Sequence, residues 1–170
     1  MDTSNSAPPD PIPPSYRIVD TVGEQTQAID SLLALARSSV RVFDRDLAHG
    51  DWNTSRRADL LSALLRTRDA RVQVIVHDTR HLETACPRIQ ALLRTYGSAL
   101  MIYRTGPEAS AAMDPLLIVD ERHFVHRFHV DQPRAAVAID QPALAKPLVA
   151  RFDEIWMTGE PGLAADVLGL

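Results

Sequence analysis

Residues 113–140 constrain the fold most, because they form a series of short apolar runs separated by polar turns. Residues 116–119 are a short apolar run, which is typical of a buried strand. Residues 124–130 alternate between two kinds of side chain, which predicts a strand with two distinct faces. Residues 135–139 form a third run. Because only short turns join these runs, we expect the strands to pair antiparallel.

The same stretch concentrates polar side chains that are capable of chemistry. The alternation predicts one strand face with Phe124, His126, Phe128 and Val130, and an opposite face with His123, Val125, Arg127, His129 and Asp131. On this pattern His126 lies between two aromatic residues on the buried face, where a hydrogen-bonded structural histidine is the expected outcome.

The first half of the chain alternates helical and strand patterns. Strands are predicted at residues 40–43, 72–76 and 100–103, with apolar helical spacing between them. Helical crossovers favour parallel pairing of these strands. After residue 140 a last helix carries an apolar stripe that includes Phe152 and Trp156, both expected to be buried against the sheet. The sequence therefore predicts a single α/β domain, an α/β/α sandwich around a mixed sheet, over residues 16–158.

The two ends of the sequence are predicted to lie outside this domain. Residues 1–15 are rich in proline and polar side chains, which predicts a disordered tail. Residues 159–170 are predicted to leave the domain as a C-terminal tail.

Composition and charge limit which kinds of binding partner and which cellular compartment we expect for this protein. The formal net charge is −4 and the pI is about 5.8, which argues against broad binding of nucleic acid. Cys86 is the only cysteine, so no disulfide can form within the chain. No apolar run has the length of a membrane span, and no signal peptide is recognised at the N-terminus. We expect a cytoplasmic protein with no membrane partner and no cofactor.

The order of elements resembles one half of the phospholipase D-like superfamily over residues 25–156. In that superfamily a strand carries His-x-Lys, then four residues and Asp, and a closing helix ends in an aromatic Phe-x-x-x-Trp pattern. Residues 116–120 resemble the strand with its aspartate, residues 136–140 a later strand, and residues 140–156 the closing helix. The chain is also similar to an uncharacterised proteobacterial family with a His-Arg-Phe-His segment.

The motif itself departs from the superfamily pattern. Counting back from Asp120, Pro115 occupies the lysine position and Met113 the histidine position. Methionine cannot attack phosphorus as a nucleophile, and proline offers no cation for a phosphate. The resemblance therefore implies a degenerate, catalytically inactive domain. It also implies a homodimer, because single halves in that superfamily commonly pair.

Three alternatives remain open for the polar residues. His126 or His129 could serve as nucleophile or acid–base in a re-sited phosphodiesterase or nuclease. His123, His129 and Asp131 could bind a metal, although no specific ligand spacing supports this and we expect none. The third alternative is a module that binds a phosphate-containing small ligand, with candidate ligand residues Arg45, His77, Arg127, Asp131 and Arg134. These charges could equally form a self-satisfied network of ion pairs. Apart from these polar residues, the chain could be a purely structural or interaction protein, held by its proline-rich tail or its dimer face.

Overall fold

Three parallel strands between residues 39 and 104 lie side by side in an eight-stranded mixed sheet in the computed structural model, which describes residues 10–164. The elements follow in this order: β1 (Ser15–Val19), α1 (Val22–Leu35), β2 (Ser39–Asp44), α2 (Ser55–Leu65), β3 (Arg71–Val76), α3 (Arg80–Ala85), α4 (Pro87–Tyr96), β4 (Leu100–Arg104), a 3-10 turn (Pro107–Ala109), β5 (Leu116–Val119), β6 (His123–Arg127), β7 (Ala135–Ile139), α5 (Pro142–Thr158) and β8 (Glu160–Leu163).

The strand order across the sheet is β1-β7-β6-β5-β2-β3-β4-β8. Strands β2, β3 and β4 pair parallel, as their helical crossovers predict. Strands β5, β6, β7 and β1 continue the sheet in antiparallel fashion from the free edge of β2, and β8 adds antiparallel to β4. The predicted fold class, a single α/β domain around a mixed sheet, is confirmed.

Helices cover the two faces of the sheet unequally. Alternate residues of the strands pack against α1, α2 and α4 in the larger core, which includes Val42 and Val125. The opposite face packs mainly against α5, where Phe43, Phe124 and Phe152 form a second core. None of the helices within residues 10–164 combines the length and apolar character that a membrane-spanning segment needs.

Helix α1 is fixed at its start by a side-chain cap and along its length by a stripe of buried residues. The Thr21 side chain accepts a hydrogen bond from the Glu24 backbone N–H at 3.1 Å, and its hydroxyl donates to the Glu24 carboxylate, so both residues cap the helix start. The buried residues of α1 recur at helical spacing and include Ile29. This stripe holds α1 against the sheet and directs Gln25, which is also buried, toward the end of β2.

The structure corrects the predicted domain ends. Ser15, assigned to the tail, begins β1, and residues 10–14 precede it as an exposed segment without regular structure; residues 1–9 of the predicted tail lie outside the described residues. Residues 160–163, predicted to leave the domain, form strand β8 instead. Leu163 is buried and aligns with Ile102 of β4, so the gain in apolar burial outweighs the weak strand propensity of Pro161 and Gly162.

Two further predictions need correction. The alternation predicted for residues 124–130 ends at Arg127, because Phe128 onward turns back and the Val130 N–H bonds the Met113 carbonyl. Trp156 is only half-buried, whereas Phe152 is fully buried as predicted. The Trp156 ring stacks on Tyr103 near the rim of α5, with ring centroids 4.1 Å apart, which leaves part of the indole in contact with solvent.

Candidate functional site

The ends of β2, β5 and β6 meet at one edge of the sheet. Phe43 aligns with Leu116, and Leu116 aligns with His126, so the last residue of β2 and the last residue of β6 flank the start of β5. Asp44 and Arg127 both point to the face covered by α1, because they follow Val42 and Val125 by two residues. They line a cavity of about 30 Å³ that we call the strand-end cavity, whose lining includes Gln25, Asp44, His49, Trp52, Pro115 and Arg127.

Asp44 is the unusual acid of this cavity. Desolvation raises the pKa of its carboxyl to about 6, and the nearby Asp46 adds to the rise, while the backbone N–H of Arg45 and the Arg127 guanidinium oppose it. One carboxylate oxygen, Oδ1, accepts that N–H at 2.6 Å. Asp44 therefore holds or releases a proton close to neutral pH, which an ordinary surface aspartate does not.

A short loop, residues 128–132, brings the predicted cationic residues to the same place. The Arg127 Nε donates to the Gln132 carbonyl at 2.5 Å. The Arg45 Nη1 lies 3.4 Å from Asp131 Oδ1, and the His129 ring accepts a hydrogen bond from the Asp131 backbone N–H at 3.1 Å. Arg45, Arg127, His129 and Asp131 thus lie around one loop, and Arg127 also lines the strand-end cavity.

Two predicted ligand residues are not part of this group. Both ring nitrogens of His77 are engaged, Nδ1 with the Thr105 hydroxyl at 2.6 Å and Nε2 with the Ala112 carbonyl at 2.7 Å. Arg134 is exposed, and its guanidinium lies 3.6 Å from Asp20, which follows the edge strand β1. The candidate site therefore contains neither residue.

His126 lies on the opposite face of the sheet, under α5. Its Nε2 is 2.8 Å from Asp114 Oδ2. Arg151 of α5 donates hydrogen bonds to the same carboxylate from Nε, at 2.9 Å, and from Nη2. Burial would raise the pKa of Asp114, but the hydrogen bonds from His126 and Arg151 lower it to about 2. Because the Asp114 carboxylate is ionised and can only accept a hydrogen bond, His126 Nε2 must carry the N–H that is donated to it. His126 and His129 therefore do not share a site.

The positions that correspond to the superfamily motif can now be assigned. Asp120 accepts backbone hydrogen bonds from Arg37, Ser38 and Ser39, so it fixes the start of β2 at the far end of β5. Pro115 lines the strand-end cavity, and Met113 is partly exposed at its own end of β5. No imidazole or ammonium group occupies either position.

Several residues of these sites were not predicted from the sequence. Gln25, His49 and Trp52 reach the strand-end cavity from α1 and from the loop after β2. Asp114 is 12 positions from His126 in the sequence and 37 positions from Arg151. No local pattern marks them. Asp44 carried the only usable signal, since it ends a parallel strand, where ligands commonly bind in α/β folds.

Metal binding was an alternative for His123, His129 and Asp131. His123 lies at the start of β6, where its Nδ1 accepts a hydrogen bond from the Asp140 backbone N–H at 2.9 Å, while His129 follows the other end of the strand. Across residues 10–164 no group of three or more His, Cys, Asp or Glu side chains is arranged to hold a metal ion.

Solved structures share this fold. The chain is similar to Nuc from Salmonella typhimurium, described as a phospholipase D family member, at TM-score 0.61 and 18% identity, covering 88% of this chain and 98% of that one. NucT from Helicobacter pylori gives TM-score 0.60 and 14% identity over 88% and 99%. TrmBL2, an archaeal chromatin protein, gives 0.63 and 13% over 85% of this chain and 53% of that chain. At these identities the likeness establishes the phospholipase D-like fold.

Sequence comparison defines the family more closely. No curated protein is found to match this sequence. Residues 21–164 match one family, and this span runs from the cap of α1 to the end of β8, so it takes in the strand-end cavity and both histidine sites. The chain belongs to the family described as Domain of unknown function (DUF7931).

Proposed function

We propose that this chain binds a small phosphate-containing ligand at the strand-end cavity and does not hydrolyse phosphodiesters by the chemistry of its superfamily. The observation that carries the proposal is the presence of Arg127 in the lining of a cavity at the end of β2, where His49 adds a further hydrogen-bond donor. Arg45 lies at the neighbouring loop, 3.4 Å from Asp131. Guanidinium groups match phosphate oxygens in geometry and charge.

The size of the cavity limits how the ligand would bind. About 30 Å³ is room for one or two water-sized groups. Only the outer oxygens of a phosphate group would enter, and the remainder of the ligand would extend into solvent past the loop of residues 128–132. The Arg127 Nη atoms are available for this contact, because its Nε is the atom that bonds Gln132.

Loss of hydrolysis follows from the residues at the motif positions. A covalent phosphoryl intermediate needs a nucleophile, and its charge needs a cation beside it. Met113 and Pro115 provide neither. The fold alone does not demand catalysis, since it occurs both in a protein described as a phospholipase D family member and in one described as a chromatin protein.

A second candidate function rests on the hydrogen bond between His126 and Asp114. An imidazole oriented by a carboxylate is the usual arrangement of a histidine nucleophile or general base. His126 is partly accessible, and Arg151 lies beside the pair. A phosphodiesterase that uses His126 would therefore act on the face covered by α5, separate from the strand-end cavity.

The homodimer implied by the resemblance is a separate proposal. Met113 and Phe128 are 37% and 43% exposed at the same edge of the sheet, and a second copy of the chain would cover these apolar side chains. Sedimentation velocity tests this directly. A dimer that dissociates in Met113→Glu supports the proposal, and a monomeric wild type contradicts it.

Calorimetric titration with inorganic phosphate and with adenosine monophosphate tests the ligand proposal. We expect both to bind wild type, and we expect Arg127→Gln to lose at least about tenfold in affinity, which is the range for one charge-assisted contact. Arg134→Gln is the matched control, because Arg134 is an exposed arginine paired with Asp20 away from the cavity. Equal losses in both variants, or no binding to wild type, would reject the proposal.

A further inference from the structure

Asp44 places a carboxylate where the proposed ligand would bring its own negative charge. It lines the same cavity as Arg127. Its Oδ1 accepts the Arg45 N–H, while Oδ2 has no hydrogen-bond partner among the described residues. A phosphate oxygen that enters the cavity would therefore meet a partly buried acceptor, and two like charges repel more strongly there than in bulk water.

A single proton removes this conflict. A protonated carboxyl can donate to the phosphate oxygen, whereas an ionised carboxylate can only accept. We infer that Asp44 and the bound oxyanion share one proton, so that the site takes up a proton from solvent each time it binds its ligand. No covalent bond forms or breaks. This inference rests on the proposed function and specifies its ligand as an oxyanion bound together with a proton.

The charges around Asp44 fit this role. Arg127 faces it from β6, and Arg45 and Asp46 lie on the turn that follows β2. Asp46 is already engaged, since its Oδ1 accepts the Ala48 N–H at 3.0 Å and its Oδ2 lies 3.8 Å from Arg45. Helix α1 contributes the neutral Gln25, and the following loop contributes His49. Among the described residues, Asp44 is thus the one carboxylate in the lining of the strand-end cavity, and His49 is the one imidazole there.

Burial has already brought Asp44 close to taking up this proton. Desolvation raises the pKa of its carboxyl to about 6 in the absence of ligand. If only the protonated form accepts an oxyanion, affinity should rise about 25-fold between pH 7.5 and pH 5.5, in proportion to the protonated fraction of a group with a pKa of about 6. Above pH 7, each further pH unit should lower the affinity about tenfold.

Sulfate is the appropriate probe, because it does not titrate between pH 5 and 8 and any proton uptake then belongs to the protein. Calorimetric titration in buffers of different ionisation enthalpy measures that uptake. We expect wild type to take up about one proton per sulfate at pH 7.5. Asp44→Asn should bind sulfate without uptake, with affinity nearly independent of pH and about tenfold or more above wild type at pH 7.5.

His49→Gln separates the two titratable side chains of the cavity. We expect it to bind sulfate more weakly and to retain the proton uptake. Uptake that disappears in His49→Gln but persists in Asp44→Asn would assign the proton to His49 and overturn the inference. If Asp44→Asn does not fold, the wild-type measurements suffice, since binding at pH 7.5 without uptake contradicts the inference on its own.

These measurements also distinguish failure of this inference from failure of the ligand proposal on which it rests. Wild type that binds neither sulfate nor inorganic phosphate at pH 5.5 would reject the ligand proposal and the inference together. Wild type that binds both without proton uptake would leave the ligand proposal standing and reject only the role of Asp44.

Discussion

Asp120 and Ser38 are joined by two hydrogen bonds, because Asp120 Oδ1 accepts both the backbone N–H of Ser38 at 2.9 Å and its hydroxyl at 3.0 Å. The same carboxylate also accepts the N–H groups of Arg37 and Ser39. Burial would raise the pKa of Asp120, but these donors lower it below its usual range. The aspartate that identifies the motif strand therefore holds the start of β2 in place.

Removing this carboxylate should destabilise the fold. We expect Asp120→Ala to lower the free energy of unfolding by about 3 kcal/mol in urea denaturation, because four hydrogen-bond donors, one of them partly buried, lose an ionised acceptor. Asp69→Ala is the matched control, since Asp69 also has a positive φ (60°, against 54° for Asp120) but is exposed at a turn. The backbone cost of alanine is then common to both variants. Equal losses would show that the hydrogen bonds contribute nothing.

The lowered pKa of Asp120 also gives a direction with pH. Its contribution to stability should be complete above the ordinary aspartate pKa of about 3.9 and should be lost as the pH falls below it. The stability difference between wild type and Asp120→Ala should therefore shrink in acid. A difference that stays constant down to pH 2 would contradict this.

Phe152 and Trp156 should differ in what they contribute to the core. Phe152 is fully buried under the sheet, so Phe152→Ala should cost about 3–5 kcal/mol, the range for a truncated core aromatic. Trp156 is half-buried and stacks on Tyr103, so Trp156→Ala should cost less, about 2 kcal/mol. Guanidinium denaturation of both variants measures this order. A larger loss for Trp156→Ala would place the core of α5 elsewhere.

Arg57 and Arg56 are adjacent arginines, but we expect their replacement to have very different effects on the free energy of unfolding. The Arg57 side chain is 0% exposed and bonds Asp30 Oδ1 at 2.8 Å through Nε and the Gly50 carbonyl at 2.7 Å through Nη1. Arg57→Met should therefore cost about 3–5 kcal/mol, because it leaves the partly buried Asp30 carboxylate and Gly50 carbonyl without this partner.

Arg56 provides the internal comparison for that measurement. Its side chain is 69% exposed and lies 3.6 Å from Asp30 Oδ2, so Arg56→Met should change the free energy of unfolding by no more than about 0.5 kcal/mol. Thermal denaturation of the two variants side by side provides the test. Similar shifts in Tm would mean that Arg57 acts only through surface charge.

The purified protein should not turn over bis-p-nitrophenyl phosphate at a rate typical of the superfamily. The reason is that Met113 and Pro115, at the two motif positions, supply neither a nucleophile nor a cation. The assay should include His126→Ala and His129→Ala. Turnover by wild type that His126→Ala abolishes, with the fold intact by circular dichroism, would replace the inactive interpretation with the His126–Asp114 site. His129→Ala is the matched histidine that lies on the loop outside that pair.

The sequence predicted much of the sheet because its strands carry local signals. The apolar runs that became β3 and β5 are confirmed within about one residue. Strand β8 was missed because Pro161 and Gly162 disfavour strands, and only pairing with β4 makes that backbone extended.

The sites were harder to predict for a related reason. Arg45, Arg127 and Asp131 were named as candidate ligand residues, and they lie near one another because each follows or ends a strand at the same end of the sheet. His77 was expected with them, but its ring is turned toward Thr105 and Ala112, a choice of rotamer that no spacing in sequence encodes. The roles of these residues in binding stay predictions.

The pairing of β1 with β7 has a consequence for synthesis on the ribosome. Ser15 aligns with Ile139, so β1 has no partner until about 120 further residues have emerged. Strand β2 can meet β3 early, but its other edge stays open until β5 follows. Such distant pairings slow folding. A nascent chain arrested before residue 135 should therefore expose Tyr16 and Ile18 without a neighbouring strand and should be cut near them by protease, whereas the completed chain protects the backbone there.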